Sequence, residues 1–421
     1  MAVQPSAASV AAGLAAPAEA SSAARPEIAD IEAAAKRIAG SVLRTPLVRS
    51  DGLSRATGAE IFLKLENLQA TGAFKERGAA NRIALLSDEE RARGVIAMSA
   101  GNHAQAVARH ATLAGIASTI VMPRFTPSTK VTRTERFGGR VVLHGETLAE
   151  AASHARALAE SEGLVFIHPY DDPGVLAGQG TLALEVMADR PDLDAMIVPT
   201  GGGGFVSGCA IASAARGGPA VLGVEVESHA GFAQALAGKP VSVGGATIAE
   251  GIAVRHIGQL PLAILKQLGT EVMVVPEIAV EQSIAMLIED GKVVAEGAGA
   301  AGLAAVLSFP ERFRGRKIAL PICGGNIDSR ILANTLLRNL MRDGRIVKVL
   351  MEIPDRPGVL ADIASRIGNR GGNIIEVVHQ RQFASPTVQA AHLEVMFEAR
   401  DTAHGRSIEA ALNEAYTVKR L

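Results

Sequence analysis

The sequence predicts an α/β fold built on parallel, twisted sheets that are covered by helices. From residue 28 onward, short apolar runs alternate with longer helical patterns, and the clearest predicted strands span residues 61–65, 94–98, 118–122, 140–143 and 220–226. Strands separated by helices of about ten or more residues indicate parallel sheets with right-handed crossovers. Aromatic residues make up only 3% of the chain and hydrophobic residues 48%, which suits helix-covered sheets rich in Val, Ile and Ala.

A second, smaller α+β module is predicted after residue 345. Residues 346–353 alternate as a strand, and they are followed by a turn, a helix over 359–367 and a strand from 373 to 378. A third strand over 392–397 and a closing helix over 405–416 complete the pattern. This β-α-β-β-α order favours a ferredoxin-like fold, and we place the domain boundary near residue 342.

Composition excludes two classes of partner. Lys+Arg 42 against Asp+Glu 43 gives a net charge of −1, which argues against a nucleic-acid binder that relies on phosphate contacts. The scarcity of aromatic residues also removes the usual base-stacking platforms. Because no uncharged apolar run is long enough for a membrane helix, we expect no membrane partner.

The two cysteines and the N-terminus bear on location. Cys209 and Cys323 are too few for a disulfide framework, and the chain has no zinc-type Cys/His spacing. We therefore expect a cytoplasmic protein. Residues 1–26 are rich in Ala and Ser but lack the basic start and continuous apolar stretch of a secretory signal. We predict a disordered tail there, with a cleaved targeting peptide as the alternative.

Lys75 is the first candidate for chemistry. It follows a predicted strand and a polar turn, and it lies near the start of a helix in the run TGAFKERGA. A lysine in a crowded, partly apolar place can have a lowered pKa and form an imine with a carbonyl cofactor. On composition alone, a solvated helix lysine is the simpler interpretation.

A glycine-rich loop is the second candidate. It lies between an apolar strand and a helix, and consecutive glycines there allow several N–H groups to turn towards one anion at the helix N-terminus. No Walker lysine follows, so we predict a phosphate site of another kind. A flexible turn is the alternative. The loop consists of Gly201, Gly202, Gly203, Gly204 and Phe205.

Two further strand ends carry polar groups. Ser99, Asn102 and His103 follow a strand and open a helix, where amides and short polar side chains suit a carboxylate or a phenolate-like oxygen. A plain N-cap by Ser99 is the alternative. Cys323 ends an apolar run before two glycines, at the kind of strand end where open α/β sheets bind ligands, although a buried cysteine more often only fills space.

A competing motif is GxGxxG over residues 297–302. The dinucleotide fingerprint also needs an acidic residue about 20 positions further on, at the end of the next strand. That strand ends at Cys323 instead, and Asp328 comes too late. We therefore do not expect a nicotinamide site.

Taken together, these motifs resemble the pyridoxal-phosphate enzymes of fold type II, and among them the threonine dehydratases. The resemblance runs from about residue 27 to 335, with the motifs in the same order. It implies that Lys75 holds pyridoxal 5'-phosphate covalently, that Asn102 bonds the ring hydroxyl and that Cys323 bonds the pyridine nitrogen. The other implied cofactor contacts are Phe74, Gly201, Gly202, Gly203, Gly204 and Phe205, and the implied substrate-carboxylate contacts are Ser99, Asn102 and His103.

The resemblance also implies an architecture. Residues 27–342 would form a two-domain, tryptophan synthase β-like catalytic region, with a smaller subdomain over roughly residues 70–170 inserted in the larger one. Residues 343–421 resemble an ACT-type amino-acid-sensing domain through the runs 355–358 and 372–374. We expect a homo-oligomer, a dimer or a tetramer.

The implied reaction is a β-elimination that converts L-threonine to 2-oxobutanoate and ammonia, with L-serine as a further expected substrate. The Lys75 amine would remove the Cα proton, and the cofactor ring would accept the developing charge. A thiol at Cys323, unlike a carboxylate, would leave the pyridine nitrogen mostly unprotonated, which suits elimination over transamination or racemisation.

Two positions separate the implied activity from that of similar enzymes. Serine racemases of this fold carry a serine where this chain has Ala100, so racemisation is disfavoured. Glu225 resembles a metal-ligand position of those racemases, but the companion acidic position is Gly231 here. We therefore expect no metal and interpret Glu225 as a solvated strand end, with a metal ligand at Glu225 as the alternative.

Several alternatives stay open at this point. Serine or 3-hydroxyaspartate would be the alternative substrates, and a non-catalytic amino-acid-sensing protein is the alternative to an enzyme. By resemblance the effector would be isoleucine or valine, with the sign of its effect undetermined. The sequence does not distinguish a role in isoleucine biosynthesis from one in threonine catabolism.

Overall fold

The computed structural model describes residues 25–380 and 390–421 of the chain. The chain divides into two compact units, one ending at Asn326 and the other beginning at Ile327. Most of the N-terminal tail predicted over residues 1–26 therefore lies outside the described residues.

Strands and helices alternate through most of the chain. The strands are β1 (Leu47–Arg49), β2 (Glu60–Lys64), β3 (Val95–Met98), β4 (Ser118–Met122), β5 (Arg140–Leu143), β6 (Val165–Phe166), β7 (Ala195–Pro199), β8 (Ala220–Val226), β9 (Val272–Val275), β10 (Lys317–Pro321), β11 (Ile346–Pro354), β12 (Asn373–Gln380), β13 (Ala390–Glu398) and β14 (Thr417–Arg420). The α-helices are α1 (Ile28–Ile38), α2 (Asp51–Thr57), α3 (Lys75–Ala84), α4 (Asp88–Arg93), α5 (Asn102–Leu113), α6 (Ser128–Arg136), α7 (Leu148–Glu162), α8 (Pro173–Asp189), α9 (Gly204–Arg216), α10 (Gly231–Leu236), α11 (Gln259–Leu268), α12 (Glu277–Glu289), α13 (Gly297–Ser308), α14 (Pro310–Phe313), α15 (Ser329–Arg342), α16 (Val359–Gly368) and α17 (Thr402–Asn413). Short 3-10 turns span Glu66–Leu68, Glu227–His229 and Glu250–Ile252.

The larger sheet of the first unit has the strand order β1-β2-β10-β7-β8-β9. Its neighbouring strands are parallel, except that β1 runs antiparallel to β2 at the edge. All five residues of β7 are buried, as expected for a strand whose sheet has helices on both faces.

The smaller sheet of the first unit has the order β5-β4-β3-β6, and all its pairs are parallel. Its apolar core includes Val95, Ile120 and Met122 from the strands and Ala104 and Val107 from α5. The predicted α/β class with parallel sheets is confirmed. The strands of this sheet lie within the predicted inserted subdomain, whose limits at residues 70 and 170 stay a prediction.

The parallel strands bring the candidate motifs to their carboxyl ends. The loop after β3 leads into α5, the loop after β7 leads into α9, and Cys323 follows β10. This is the edge at which open α/β sheets bind ligands. By contrast, the GxGxxG residues form the first turns of α13 itself, with no regular strand over residues 290–296. A side chain at Gly299 would come within 2.6 Å of the Gly324 carbonyl, so this glycine permits close packing of the helix.

The second unit contains a four-stranded antiparallel sheet with the order β12-β13-β11-β14. Its core combines inward-facing residues of β11 and β13 with apolar residues of α16 and α17. The closing helix predicted to extend to Tyr416 instead ends at Asn413, and β14 follows and pairs with β11. This strand completes the ferredoxin-like order.

The chain division assigns α15 to the second unit. The boundary near residue 342 stays a prediction for the limit of the regulatory module. No helix among the described residues is long and apolar enough to cross a membrane.

Candidate active site

Lys75 begins α3, and its side chain is held inside the first unit. Its Nζ donates a hydrogen bond to the carbonyl oxygen of Pro169 at 2.8 Å. Burial lowers the pKa of Lys75 to about 8, although the charges of Cys323 and Glu296 raise it in part. A larger fraction of this amine is therefore unprotonated near neutral pH than for a solvated lysine, as a nucleophilic amine requires. The simpler interpretation as a solvated helix lysine is wrong.

The turn before Lys75 is attached to the segment that follows β10. Phe74 donates its N–H to the carbonyl oxygen of Cys323 at 2.9 Å, and Gly325 donates to Gly72 at 3.0 Å. Gly72 has a φ of 73°, a conformation that glycine adopts without strain. Cys323 is 2% exposed, and burial raises the pKa of its thiol well above the ordinary value. Lys75 and a protonated thiol are therefore held in the same site.

The glycine loop forms the N-terminus of α9. Gly203 has a φ of 88° and precedes the first residue of this helix. A side chain at Gly202 would overlap the ring of Tyr170, and one at Gly203 would overlap the ring of Phe232. Only glycine therefore fits, and the unshielded N–H groups at a helix N-terminus suit a phosphate dianion.

Phe74 and Phe205 join the glycine loop to the lysine turn. Their rings stack with centroids 4.1 Å apart and planes inclined at 23°. Stacked aromatic pairs prefer such close, offset contacts. Since Phe74 directly precedes Lys75, this contact brings the predicted phosphate loop and the turn that carries the predicted cofactor lysine together.

The loop after β3 differs from the predicted cap. Gly101, not Ser99, is the N-cap of α5, and the Ser99 hydroxyl accepts the N–H of Gly101 at 3.1 Å. His103 is buried, and its Nε2 bonds the carbonyl oxygen of Ile167 at 3.0 Å. Burial lowers the pKa of His103 to about 3, so the imidazole is neutral. Its side chain is bonded to the segment that follows β6, while the first N–H groups of α5 remain suited to an anion.

Asn102 is held at both ends of its amide. Its Nδ2 donates to Oε1 of Glu296 at 2.7 Å, and its Oδ1 accepts from Nδ2 of Asn326 at 2.8 Å. Glu296 was not predicted from the sequence, where it stands as one acidic residue before a glycine-rich helix. The nearest signal was its position directly before the GxGxxG motif, which we assigned only to a rejected nucleotide site.

The segment after β6 was also missed. Tyr170 lies against Gly202 and donates its hydroxyl to the carbonyl oxygen of His256 at 2.8 Å. His168 accepts the N–H of Asp171 on Nδ1 at 2.8 Å, and burial lowers its pKa to about 4. A run containing His and Tyr at the carboxyl end of a parallel strand was the available signal.

Glu225 does not face solvent. It is 1% exposed, and its two carboxyl oxygens accept the N–H groups of Phe232 and Ala233, each at 2.9 Å. The interpretation as a solvated strand end is therefore wrong, because the side chain caps α10. Among the described residues no group of three or more His, Cys, Asp or Glu side chains is placed to hold a metal ion.

The donor set fits pyridoxal phosphate. An amine of lowered pKa suits a carbonyl group, a glycine cradle at a helix N-terminus suits a phosphate, and a neutral thiol and an amide suit the polar atoms of an aromatic ring. The cradle is the decisive feature, because side chains at Gly202 and Gly203 would overlap Tyr170 and Phe232.

Known proteins agree with this assignment. The family described as "Pyridoxal-phosphate dependent enzyme" matches residues 38–324. The L-threonine ammonia-lyase of Thermotoga maritima is 42% identical over 392 residues, which cover 91% of this chain and 96% of that protein. The catabolic L-threonine dehydratase TdcB of Escherichia coli K12 is 41% identical over 306 residues, which cover 72% of this chain and 93% of that protein.

Solved structures of similar proteins support the same family assignment. The processed form of threonine deaminase isoform 2 from Solanum lycopersicum has a TM-score of 0.69 at 33% identity and covers 73% of this chain and 86% of its own. Maize serine racemase has a TM-score of 0.70 at 35% identity and covers 76% of this chain and 99% of its own. The chain therefore belongs to the pyridoxal-phosphate-dependent enzymes and, within them, to the L-threonine ammonia-lyase family.

Proposed function

We propose that the protein converts L-threonine to 2-oxobutanoate and ammonia by β-elimination and also acts on L-serine. The observation that carries this proposal is the position of Lys75, whose Nζ is held at 2.8 Å from the Pro169 carbonyl with a pKa lowered by burial to about 8. The T. maritima relative, at 42% identity, is named for the same activity.

In this proposal Lys75 has two tasks. It would hold the cofactor covalently, and its free amine would take the proton from Cα of the bound substrate. The lysine ammonium so formed would protonate the departing β-hydroxyl, which leaves as water, with the cofactor phosphate as the alternative proton donor. The cofactor supplies the electron sink for the charge left on that carbon. A lysine of lowered pKa suits both tasks, since each needs the unprotonated amine.

The other residues bind and orient. The N–H groups of the glycine loop (Gly201, Gly202, Gly203, Gly204 and Phe205) hold the phosphate, while Phe74 lines the site. Cys323 would face the ring nitrogen as an uncharged thiol, because burial keeps its pKa high. A neutral thiol, unlike a carboxylate, would not favour a proton on that nitrogen, which would suit elimination.

The substrate carboxylate is assigned to the start of α5. Ser99, Asn102 and His103 lie there, and the N–H groups of the first turn favour an anion. Because Nε2 of His103 is bonded to the Ile167 carbonyl, we assign His103 to this site through its main-chain N–H.

The second unit is proposed as an ACT-type regulatory domain that binds isoleucine or valine. Its antiparallel order β12-β13-β11-β14 with two helices supports a ferredoxin-like sensing module. We also propose a homo-oligomer and a cytoplasmic location. The two free, buried cysteines support the location, since neither depends on an oxidising compartment.

A racemase is the second candidate function, because maize serine racemase has the same fold at 35% identity. Ala100 argues against it, since a methyl side chain offers no proton to the second face of Cα. A 3-hydroxyaspartate dehydratase remains an alternative substrate assignment. A non-catalytic sensor is disfavoured by the lowered pKa of Lys75.

The test is an assay of the purified protein with L-threonine, L-serine and 3-hydroxyaspartate, following oxoacid and ammonia. We expect threonine to be the best substrate and Lys75→Ala to lose about 10³-fold or more in kcat, the usual scale for losing an acid–base group. Lys36→Ala, which changes an exposed lysine of α1, is the matched control and should retain full activity. Full activity in Lys75→Ala, or no oxoacid from any substrate, would refute the proposal.

A further inference from the structure

The Asn102 amide has only one orientation that satisfies its neighbours. Asn326 uses the same Nδ2 to donate to the Thr71 carbonyl at 2.7 Å and to Oδ1 of Asn102 at 2.8 Å. The amide oxygen of Asn102 therefore faces Asn326. The amide nitrogen then faces Glu296, whose Oε1 accepts from it at 2.7 Å.

Glu296 is itself fixed by the main chain next to Cys323. Its N–H donates to the carbonyl oxygen of Gly324 at 3.0 Å. A side chain at Gly324 would overlap the Glu296 carboxyl and approach Nδ2 of Asn102 to 3.1 Å. The absence of a side chain at Gly324 thus permits the contact between Glu296 and Asn102.

The charge of Glu296 acts on both reactive groups of the site. It raises the pKa of Lys75 against the larger effect of burial, and it adds to the burial that raises the pKa of Cys323. Burial raises the pKa of Glu296 itself to about 7, while the amide of Asn102 and the charge of Lys130 on α6 oppose that shift. Glu250, on the 3-10 turn after residue 249, adds a like charge.

We propose that Glu296 is a positioning residue for the cofactor. It holds the Asn102 amide so that the second Nδ2 hydrogen stays free for the ring oxygen of the cofactor, and its carboxylate stabilises the protonated Lys75 nitrogen. The proposal rests on the proposed roles of Lys75 and Asn102. Among the described residues that second hydrogen has no protein acceptor, and no other carboxyl group acts on both Lys75 and Cys323 as directly.

The first test is the visible absorption of the lysine-bound cofactor as a function of pH. Glu296→Gln keeps the size of the side chain and an acceptor for Asn102 but removes the charge. Because a nearby anion favours a cation, we expect the pH midpoint of the colour change to fall by about one unit. Glu250→Gln removes an exposed carboxylate that acts on Glu296 without contacting Asn102, and its midpoint should stay within about 0.2 units of wild type.

The second test separates the hydrogen bond between Glu296 and Asn102 from the charge of Glu296. Glu296→Ala removes the acceptor as well, so we expect the same shift of the midpoint together with about tenfold weaker cofactor binding, the usual scale for one lost hydrogen bond. Equilibrium dialysis of pyridoxal phosphate against each apoprotein measures this, and Glu296→Gln should bind the cofactor nearly as well as wild type.

The outcomes separate this inference from the proposed function. A wild-type protein without a lysine-bound absorption band would refute the proposed function, and the inference with it. A normal band whose midpoint is the same in wild type and Glu296→Gln would refute the inference alone. An equal shift in Glu250→Gln would also refute it, because the effect would then come from surface charge in general.

Discussion

At the scale of single residues, Arg77 is a buried cation two positions after the cofactor lysine. It is fully buried, and it bonds Glu66 at 2.7 Å and Glu185 at 2.7 Å. Lys64 joins the same group through Glu185 at 2.5 Å. Burial alone would raise the pKa of Glu66, but the charge and hydrogen bond of Arg77 hold it below its ordinary value. Two cations and two anions thus balance in the interior.

Removing Arg77 should therefore be strongly destabilising. Arg77→Ala leaves Glu66 buried without its main partner, and breaking such a pair costs about 3–5 kcal/mol. Urea unfolding of the apoproteins, followed by circular dichroism, measures the free energy of unfolding. The control is Arg44→Ala, whose exposed pair with Asp189 at 2.6 Å should contribute less than about 1 kcal/mol. Similar losses in the two variants would contradict the buried-network account.

The residues that could be predicted from the sequence are those with a local signal. Lys75 and the glycine loop follow apolar strands and open helices, so the pattern of neighbours placed them at a strand's carboxyl end. Glu296 has no such signal, because its partner Asn102 lies 194 residues away. Its role depends on a contact that only the fold creates. The partners of Glu225 are only seven and eight positions away, but the sequence did not indicate that its carboxyl group turns inward to accept their N–H groups.

At the scale of elements, several apolar strands were predicted well, whereas the apolar β9 and the amphipathic β14 were not predicted. β4 and β8 have the predicted bounds of residues 118–122 and 220–226. β14 was missed because it has four residues, of which three are polar. It is stabilised by its pairing with β11, about 70 positions earlier in the chain. Local β propensity gives no information about such a distant pairing.

The N-terminus of α10 should make stability depend on pH. Burial raises the pKa of Glu225 from its ordinary 4.5 to about 7, despite the main-chain N–H groups that oppose the shift. Between these two pH values the folded state binds more protons than the unfolded state. The free energy of unfolding contributed by this group is therefore fully present below pH 4.5 and is lost as pH rises through 7.

Glu225→Gln should flatten that dependence by up to about 1.4 kcal/mol per pH unit, because glutamine does not titrate. Urea unfolding of wild type and variant at a series of pH values from acidic to neutral measures the slope. Glu227→Gln, an exposed neighbour, should leave the slope as in wild type. Parallel curves for wild type and Glu225→Gln would mean that Glu225 stays ionised in the fold.

At the scale of the whole molecule, the two units differ in what they share with relatives. The pyridoxal-phosphate family matches residues 38–324, all within the first unit. The match to the E. coli relative covers 93% of that protein but 72% of this chain. The match to the T. maritima relative covers 91% of this chain. The named activity thus accompanies the first unit, and the second unit is present in only some relatives. This distribution favours a regulatory role for the second unit.

A chain ending at residue 342 should therefore stay active but lose its response to isoleucine and valine. An effector acts only if it binds one state of the protein better than another, and such coupling usually changes affinity or activity about 5–150-fold. Activity against threonine concentration, with and without each amino acid, measures the response in the full and shortened chains. A chain that ends at residue 342 retains Asn326 and its hydrogen bond to Asn102.

A point variant in the full-length chain separates weaker effector binding from other effects of the truncation. Gly358, with a φ of 91°, is the N-cap of α16 in the run that resembles the sensing domains, and Gly358→Val strains that turn because a β-branched residue resists this conformation. We expect this variant to keep its threonine activity in the absence of effector and to respond only at higher effector concentration. Isothermal titration of each amino acid into the two full-length proteins should show the same weakening. If the shortened chain still responds to isoleucine or valine as the full chain does, the effector binds the first unit, and the second unit serves another purpose.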